Sequence, residues 1–181
     1  MVTGSRVKAR SITESPAPVD VFSGEEFSNQ GDADINNLLR NAIPSYNVSD
    51  QPVSDAATLV SPANLSGLAP AQVLVLVNGK RRHRAAVTSW LGNSISNGSQ
   101  GADTSAIPAL ALKNVNVLRD DAVAPCGSEA IAGALNVKDA YEGGSIEVRY
   151  GQYSEGEGEQ STIAAHFGFA PGDNGFVNVT G

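Results

Sequence analysis

From Val73 to Val77 the chain reads Val-Leu-Val-Leu-Val and then stops at Asn78-Gly79. A strand with one wet face alternates apolar and polar residues; this one offers water nothing on either side, so it belongs in a sheet covered on both faces. Asn-Gly supplies the backbone angles of a tight hairpin turn, which ends the strand there. A doubly covered strand needs layers above and below it. The means are present, since 41% of the 181 residues are hydrophobic and 17% are charged. That length makes one domain, or one domain with an appendage.

Other elements follow from periodicity. Ile35, Leu38, Leu39 and Ala42 fall on one helical face, which predicts a helix over 34–42, capped by Asp32 or Asp34 and closed before Pro44. Val19 to Phe22 reads as a short strand, and Ser23-Gly24-Glu25-Glu26 as a helix start. Strands are expected over 64–68, 72–77 and 115–118, and a short helix over 128–135 capped by Ser128. Stretches 45–63 and 85–105 read as loops, and 1–18 as a flexible arm carrying Arg6, Lys8 and Arg10, kept extended by Pro16 and Pro18. From Gly144 the period becomes two: Ile146, Val148, Tyr150; then Ile163, Ala165, Phe167, Phe169; then Phe176 or Val177 with Val179. Turn-rich runs at 154–159 and 171–175 separate these segments, so the tail reads as an antiparallel meander. Turn-separated alternating segments of this kind are also the weak signature of an outer-membrane barrel.

Several function classes are excluded at this level. A net charge of −7 is wrong for a general nucleic-acid binder, which releases counterions through a basic surface. One cysteine, Cys126, permits no intrachain disulfide, and two distant histidines, His83 and His166, build no clustered zinc site. Gly127-Ser128-Glu129-Ala130 lacks the second glycine of a nucleophile elbow, so no catalytic residue is assigned. No apolar run approaches the roughly 20 residues of a spanning helix, and no apolar leader follows Met1. The run Lys80-Arg81-Arg82-His83-Arg84 has two readings, a contact for phosphate or lipopolysaccharide and a solvated strand end.

Six stretches in order resemble the plug domain of TonB-dependent outer-membrane receptors. They are Val2-Thr3-Gly4-Ser5-Arg6; Pro18 to Glu26; Ile35 to Leu39 with Ile43-Pro44; Val73 to Arg82; Ala106-Ile107-Pro108 with Val115 to Asp120; and Gly127 to Val137. The fold this implies is α+β: a plug with a small mixed four-stranded sheet and short helices, then a two- to three-stranded antiparallel meander at the start of a barrel. In those terms 1–18 is an arm holding a cut TonB box, 19–140 the plug, and 141–181 the first barrel strands or a disordered tail.

The resemblance implies a gate in a Gram-negative outer membrane. Such a receptor takes up a siderophore, cobalamin, haem or carbohydrate-type ligand without catalysis, resident metal or cofactor. Its partners would be the energy transducer TonB at Val2 and Thr3, the receptor's own β-barrel, and a small-molecule ligand; nucleic acid is not among them. Ligand contact would come from upper loops near 68–72, 85–103 and 122–128, with Pro70, Gln72, Cys126 and Ser128 as candidate residues. Arg119 would pair with glutamates of the barrel wall. Three departures weaken the pattern: Ser66 stands where the family carries an arginine, Cys126 where it carries a tyrosine, and Lys138-Asp139-Ala140 interrupts the apolar strand the family carries after Val137. A stand-alone periplasmic ligand-binding module with a plug-like fold is the alternative.

Overall fold

The computed structural model describes residues 19–30, 32, 34–48, 57–88, 95–119, 130–139, 143–154, 156–172 and 175–181. Strands β1 (Val19–Ser23), β4 (Val73–Val77), β5 (Lys80–Arg81), β6 (Leu112–Leu118) and β7 (Gly133–Asp139) form one sheet in the order β1-β6-β7-β4-β5. It is mixed: β4 runs parallel to β7, and the other neighbours are antiparallel. Of its strands, β1, β4 and β6 fall where strands were expected, and the sheet exceeds the expected four strands by one, with β5 of two residues. Asn78 and Gly79, at φ 53° and 77°, make the turn that the Asn-Gly pair predicted. β4 lies between β7 and this short return, so the centre of the sheet is β7.

Helices α1 (Gly24–Ser28) and α2 (Ile35–Ala42) cover one face. Phe27, Ile35, Leu38, Leu39 and Ile43 pack there against Val73, Val75, Val115, Val117, Leu135 and Val137. On the opposite face a smaller cluster joins Leu74, Leu118, Ala130 and Ala134 with Val19 and Leu76. β4 is therefore packed on both sides, as its unbroken apolar sequence requires. Asp34 is the cap of α2, its Oδ1 accepting from the Asn36 amide at 2.8 Å. Ser23 and Glu26 form a reciprocal capping box on α1: the Glu26 amide donates to the Ser23 hydroxyl, and the Ser23 amide donates to the Glu26 carboxylate at 2.6 Å.

Three expectations are corrected. The stretch read as a helix over 128–135 is, from Gly133 on, strand β7. Gly133 sits at φ 137°, which no helix uses, and its missing side chain admits Leu65 and the Leu118 carbonyl. Ala134 and Leu135 favour a helix locally, but each is paired on both sides, to β4 and to β6. The stretch read as loop over 45–63 contains strand β2 (Tyr46–Val48), which pairs with β3 (Ala63–Leu65), and a 3₁₀ turn at Ala57–Leu59. The expected strand at 64–68 ends early, because Ser66 and Gly67 turn the chain at φ 54° and 71°.

The tail forms a separate antiparallel sheet of β8 (Gly143–Gly151), β9 (Gln160–Gly172) and β10 (Gly175–Thr180), the expected meander with three strands. Its two faces differ. Val148 pairs with Ile163, Ile146 with Ala165, Phe167 with Val179 and Phe169 with Val177. This apolar face stands open, Ile146 at 79% exposure and Ile163 at 74%. The other face carries the Glu147–Arg149 ion pair and a His166–Thr180 contact of 3.0 Å between Nδ1 and Oγ1. That polar face looks toward the first sheet's layer: Glu147, Ala164 and Thr180 approach Pro108–Leu110. Arg149 and Thr162 share a cleft of about 470 Å³ with Asp32, Asp34 and Asn37. Polar residues inward and apolar residues outward is the arrangement of a membrane barrel strand, which the antiparallel pattern here begins. Among the described residues no helix is long and apolar enough to cross a membrane.

Two outcomes are expected. Gly133→Ala places a methyl 2.3 Å from the Leu65 side chain at a strained backbone angle. It should destabilise the fold by about 3 kcal/mol, read from the midpoint of urea unfolding. The hydrogen bonds from the Ser23 amide, then from its hydroxyl, hold the Glu26 carboxyl below its ordinary 4.5. A depressed carboxylate stabilises the fold above its unfolded value, and that contribution is lost as pH falls through the folded value. Unfolding midpoints taken from about pH 5 to about pH 3 should fall less steeply in Glu26→Gln than in the wild type.

Candidate functional site

Parallel pairing aligns the beginnings of β4 and β7, so the loops leading into both strands meet at one end of the sheet. The loop before β4 contains Ser66–Gly67, Ala69 and a 3₁₀ turn at Pro70–Gln72. The segment before β7 contains Ala130–Ala132. The Ala132 amide donates to the Gln72 carbonyl at 3.0 Å, tying these two loops together. A third stretch, 95–104, packs against both. Buried Ser99 accepts the Ala71 amide at 2.9 Å, and Gly101 fits because a Cβ there would lie 2.5 Å from Pro70 and 2.9 Å from Pro62.

A buried polar network anchors that third stretch to the core. Tyr46 and Thr104 both donate to the Asn36 side-chain oxygen, at 2.8 and 2.6 Å. Asp103 Oδ1 accepts the amides of Ser61 and Ser105, each at 3.1 Å. These bonds tie 103–105 to α2 and to the chain before β3.

Beyond β5 the chain returns along β4. The Arg82 amide donates to the Val75 carbonyl at 2.9 Å, and the Ala85 amide to the Gly101 carbonyl at 2.8 Å. Between this return and the 99–102 stretch lies a cleft of about 370 Å³. Pro70, Ala71, Val73 to Val75 and Ala102 give it apolar walls; Arg81, Arg82, His83, Arg84 and Gln100 give it a polar rim. Among the described residues no carboxylate lines it. The basic run that sequence left between two readings thus borders a concavity.

The candidate residues divide accordingly. Pro70 lines the cleft. Gln72 is one turn away, and its side-chain oxygen accepts the Ala69 amide at 3.3 Å, closing its own turn. Cys126, Ser128, Val2 and Thr3 lie outside the described residues. Arg119 follows the last residue of β6, and its guanidinium pairs with Asp20 of neighbouring β1. The resemblance named the loop 85–103 for ligand contact but singled out none of Ser99, Gln100 and Gly101, whose composition reads only as loop; the signal available was the nearby basic run. One rung of the sheet crosses this end: Val19 pairs with Leu118, Leu118 with Ala134, and Ala134 with Leu74. Val19, the first described residue, therefore joins the sheet on the rung beside the converging loops.

Ser99→Ala removes the acceptor of the Ala71 amide in a buried setting. It should cost about 1–2 kcal/mol in urea unfolding and raise the hydrogen-exchange rate at Ala71 while leaving β6 amides protected.

Comparison with known proteins gives a consistent result. The chain matches the TonB-dependent receptor plug domain over residues 11–134. It is 29% identical over 158 residues to the vitamin B12 transporter BtuB of Photobacterium profundum, covering 86% of this chain and 23% of the transporter. In fold it is similar to the siderophore receptor PirA of Acinetobacter baumannii, with a TM-score of 0.63 at 22% identity over 87% of this chain and 22% of that one. A variant of the ferric enterobactin receptor PfeA of Pseudomonas aeruginosa gives a TM-score of 0.65 at 20% identity, over 93% of this chain and 24% of that one. The chain spans less than a quarter of the length of these relatives, which are a transporter and receptors rather than enzymes.

Proposed function

The chain belongs to the TonB-dependent receptor plug domain family, as a plug followed by the start of a barrel, and from that premise we propose that it gates the active uptake of a small-molecule ligand across an outer membrane. Residues 19–140 act as the plug and 141–181 as its first wall strands. The observation that carries the reading is the meeting of three loops at the start of the parallel β4–β7 pair, on the rung where Val19 joins. The open apolar face of the meander, with its polar face turned to the plug, supports a lipid-embedded wall.

The mechanism is a population shift. Ligand contacts the loop end, through Pro70 and Gln72 and, in the same proposal, Cys126 and Ser128. A ligand that prefers one arrangement of these loops biases the rung Leu74–Ala134–Leu118–Val19, and with it the exposure of the arm. Val2 and Thr3 in that arm engage TonB by adding a strand to its sheet. Arg119, placed at the plug's edge and paired with Asp20, is positioned to share its charge with an acidic wall residue. The relatives' printed ligands, vitamin B12 and siderophores, bound the substrate class.

The test of partner engagement is direct. The complete chain should bind the periplasmic domain of TonB in a pull-down or thermophoresis assay. A Val2→Pro/Thr3→Pro variant, unable to donate its backbone amides to a sheet, should bind at least about tenfold more weakly. Equal binding by both chains would reject this route of energy coupling.

A further inference from the structure

We infer that His166 is a proton-operated latch between the meander and the plug. On gaining a proton it takes over the carboxylate of Glu147, and Arg149, released from that carboxylate, turns to Asp32 and Asp34 beside α2. The inference goes beyond the uptake reading and does not rest on it, because it concerns how the meander holds the layer it packs on. Histidine is the side chain whose charge changes between about pH 5 and about pH 8, so a buried one at a seam can answer the pH outside.

Position carries it first. β8 and β9 are in register with Ser145 opposite His166, Glu147 opposite Ala164 and Arg149 opposite Thr162. Alternate residues share a face, so Ser145, Glu147 and Arg149 follow one another along β8 at about 7 Å per step, on the side turned to the plug. Glu147 is thus the diagonal neighbour of His166, within reach of a long side chain, and Arg149 lies one step beyond it. Hydrogen bonding carries it second. His166 is only 6% exposed. Its Nδ1 meets the Thr180 hydroxyl at 3.0 Å, whereas its Nε2 is buried with no hydrogen-bond partner among the described residues. Arg149 gives its Nε to Glu147, and its Nη1 is likewise buried and unpartnered there. The other described groups on this side of His166 are uncharged: Ser145 of β8, Asn178 and Thr180 of β10, and the 3₁₀ turn Ala109–Ala111 on which β9 and β10 pack. Past Thr180 comes the carboxyl end of Gly181, whose backbone is bonded to Ala165.

Protonation makes donors of both ring nitrogens. A buried imidazolium whose Nε2–H has no acceptor is unfavourable, and the Glu147 carboxylate removes that penalty by turning to it. Arg149 is then left with Nε and Nη1 both unmatched. Asp32 and Asp34 line the same cleft of about 470 Å³ as Arg149. Asp32 accepts the Asp34 amide and the Asn37 side-chain amide, and Asp34 accepts the Asn36 amide, which leaves lone pairs on both carboxylates. The proton comes from water and stays on the imidazole; the rest is an exchange of acceptors. The Arg149 pairing moves from within the meander to across the seam, so acid tightens the meander's hold on the plug.

The experiment uses the whole 181-residue chain in detergent micelles, which cover the open apolar face, and follows it by NMR. His83→Gln, at an exposed position, leaves His166 as the single histidine. Between about pH 8 and about pH 5 its imidazole should gain a proton, and the Arg149 Nε–H resonance should shift with the same midpoint. Amide protection at Asn36, corrected for intrinsic exchange, should rise about threefold or more over that range. In Glu147→Gln the Arg149 resonance should cease to follow the imidazole. In Asp32→Asn/Asp34→Asn, where asparagine still caps α2, the rise in protection should vanish. An imidazole that stays neutral down to about pH 5 overturns the inference. So does an Arg149 response that survives Glu147→Gln, and so does a rise in protection that is absent from the wild type or persists in the asparagine pair. Loss of the response when a Gly-Ser linker continues the chain past Gly181 overturns it in favour of the terminal carboxylate as the partner of the imidazole.

Discussion

The parallel pairing of Val73–Val77 with Gly133–Val137 is the constraint on which the rest of the domain depends. Parallel strands cannot be joined by a tight turn; the chain must leave the far end of the first strand and cross back to the end where that strand began before pairing. Here the detour contains the hairpin to β5, the basic return, the 95–104 stretch and the whole of β6. Each is therefore held near the sheet by a strand on either side of it in sequence. The loops that lead into β4 and β7 meet because parallel strands begin together. An antiparallel pair would have sent one of them to the far end.

Burial at this pairing is asymmetric, and the asymmetry explains where polar groups collect. One face of the sheet carries the large cluster under α1 and α2; the other carries only a small apolar patch, followed along β6 and β7 by Asn114, Asn116 and Asn136. The 95–104 stretch cannot be held by apolar packing alone, since it is Ser-, Asn- and Gly-rich. It is held by hydrogen bonds to Asn36, Ala71 and Ser61 instead. Such bonds stabilise modestly but fix geometry closely, which suits a segment that must present a cleft rather than fill a core.

Legibility in the sequence followed how local each signal was. The cap at Asp34, the capping box at Ser23 and Glu26, the Asn78-Gly79 turn and the three meander segments were all readable, because each depends on residues within a few positions of one another. β2 was hidden: three residues with Tyr46 and Val48 inward are too short a pattern among Ser, Pro, Asn and Asp neighbours. β7 was misread, because Ala130 to Leu135 has helical composition and only Gly133 hinted otherwise. At the site, Pro70 and the basic run were visible, but their common cleft was not, since it needs Gly101 to close against Pro70 across 31 residues of chain.

The sequence by itself determined the division of the chain. A doubly buried strand demands a covered sheet, a period of two demands a ribbon with unlike faces, and a motif order of this length identifies the domain family. The tertiary structure decided what faces what. It turned the polar side of the meander to the plug and left the apolar side open. It converted a helical stretch into the central strand, and it drew Arg81, Arg82, His83 and Arg84 along a cleft wall. The physical reason is range. Caps, turns and periodicity are settled by neighbours in the chain, whereas strand pairing and concave surfaces are settled by contacts whose energy no single segment contains.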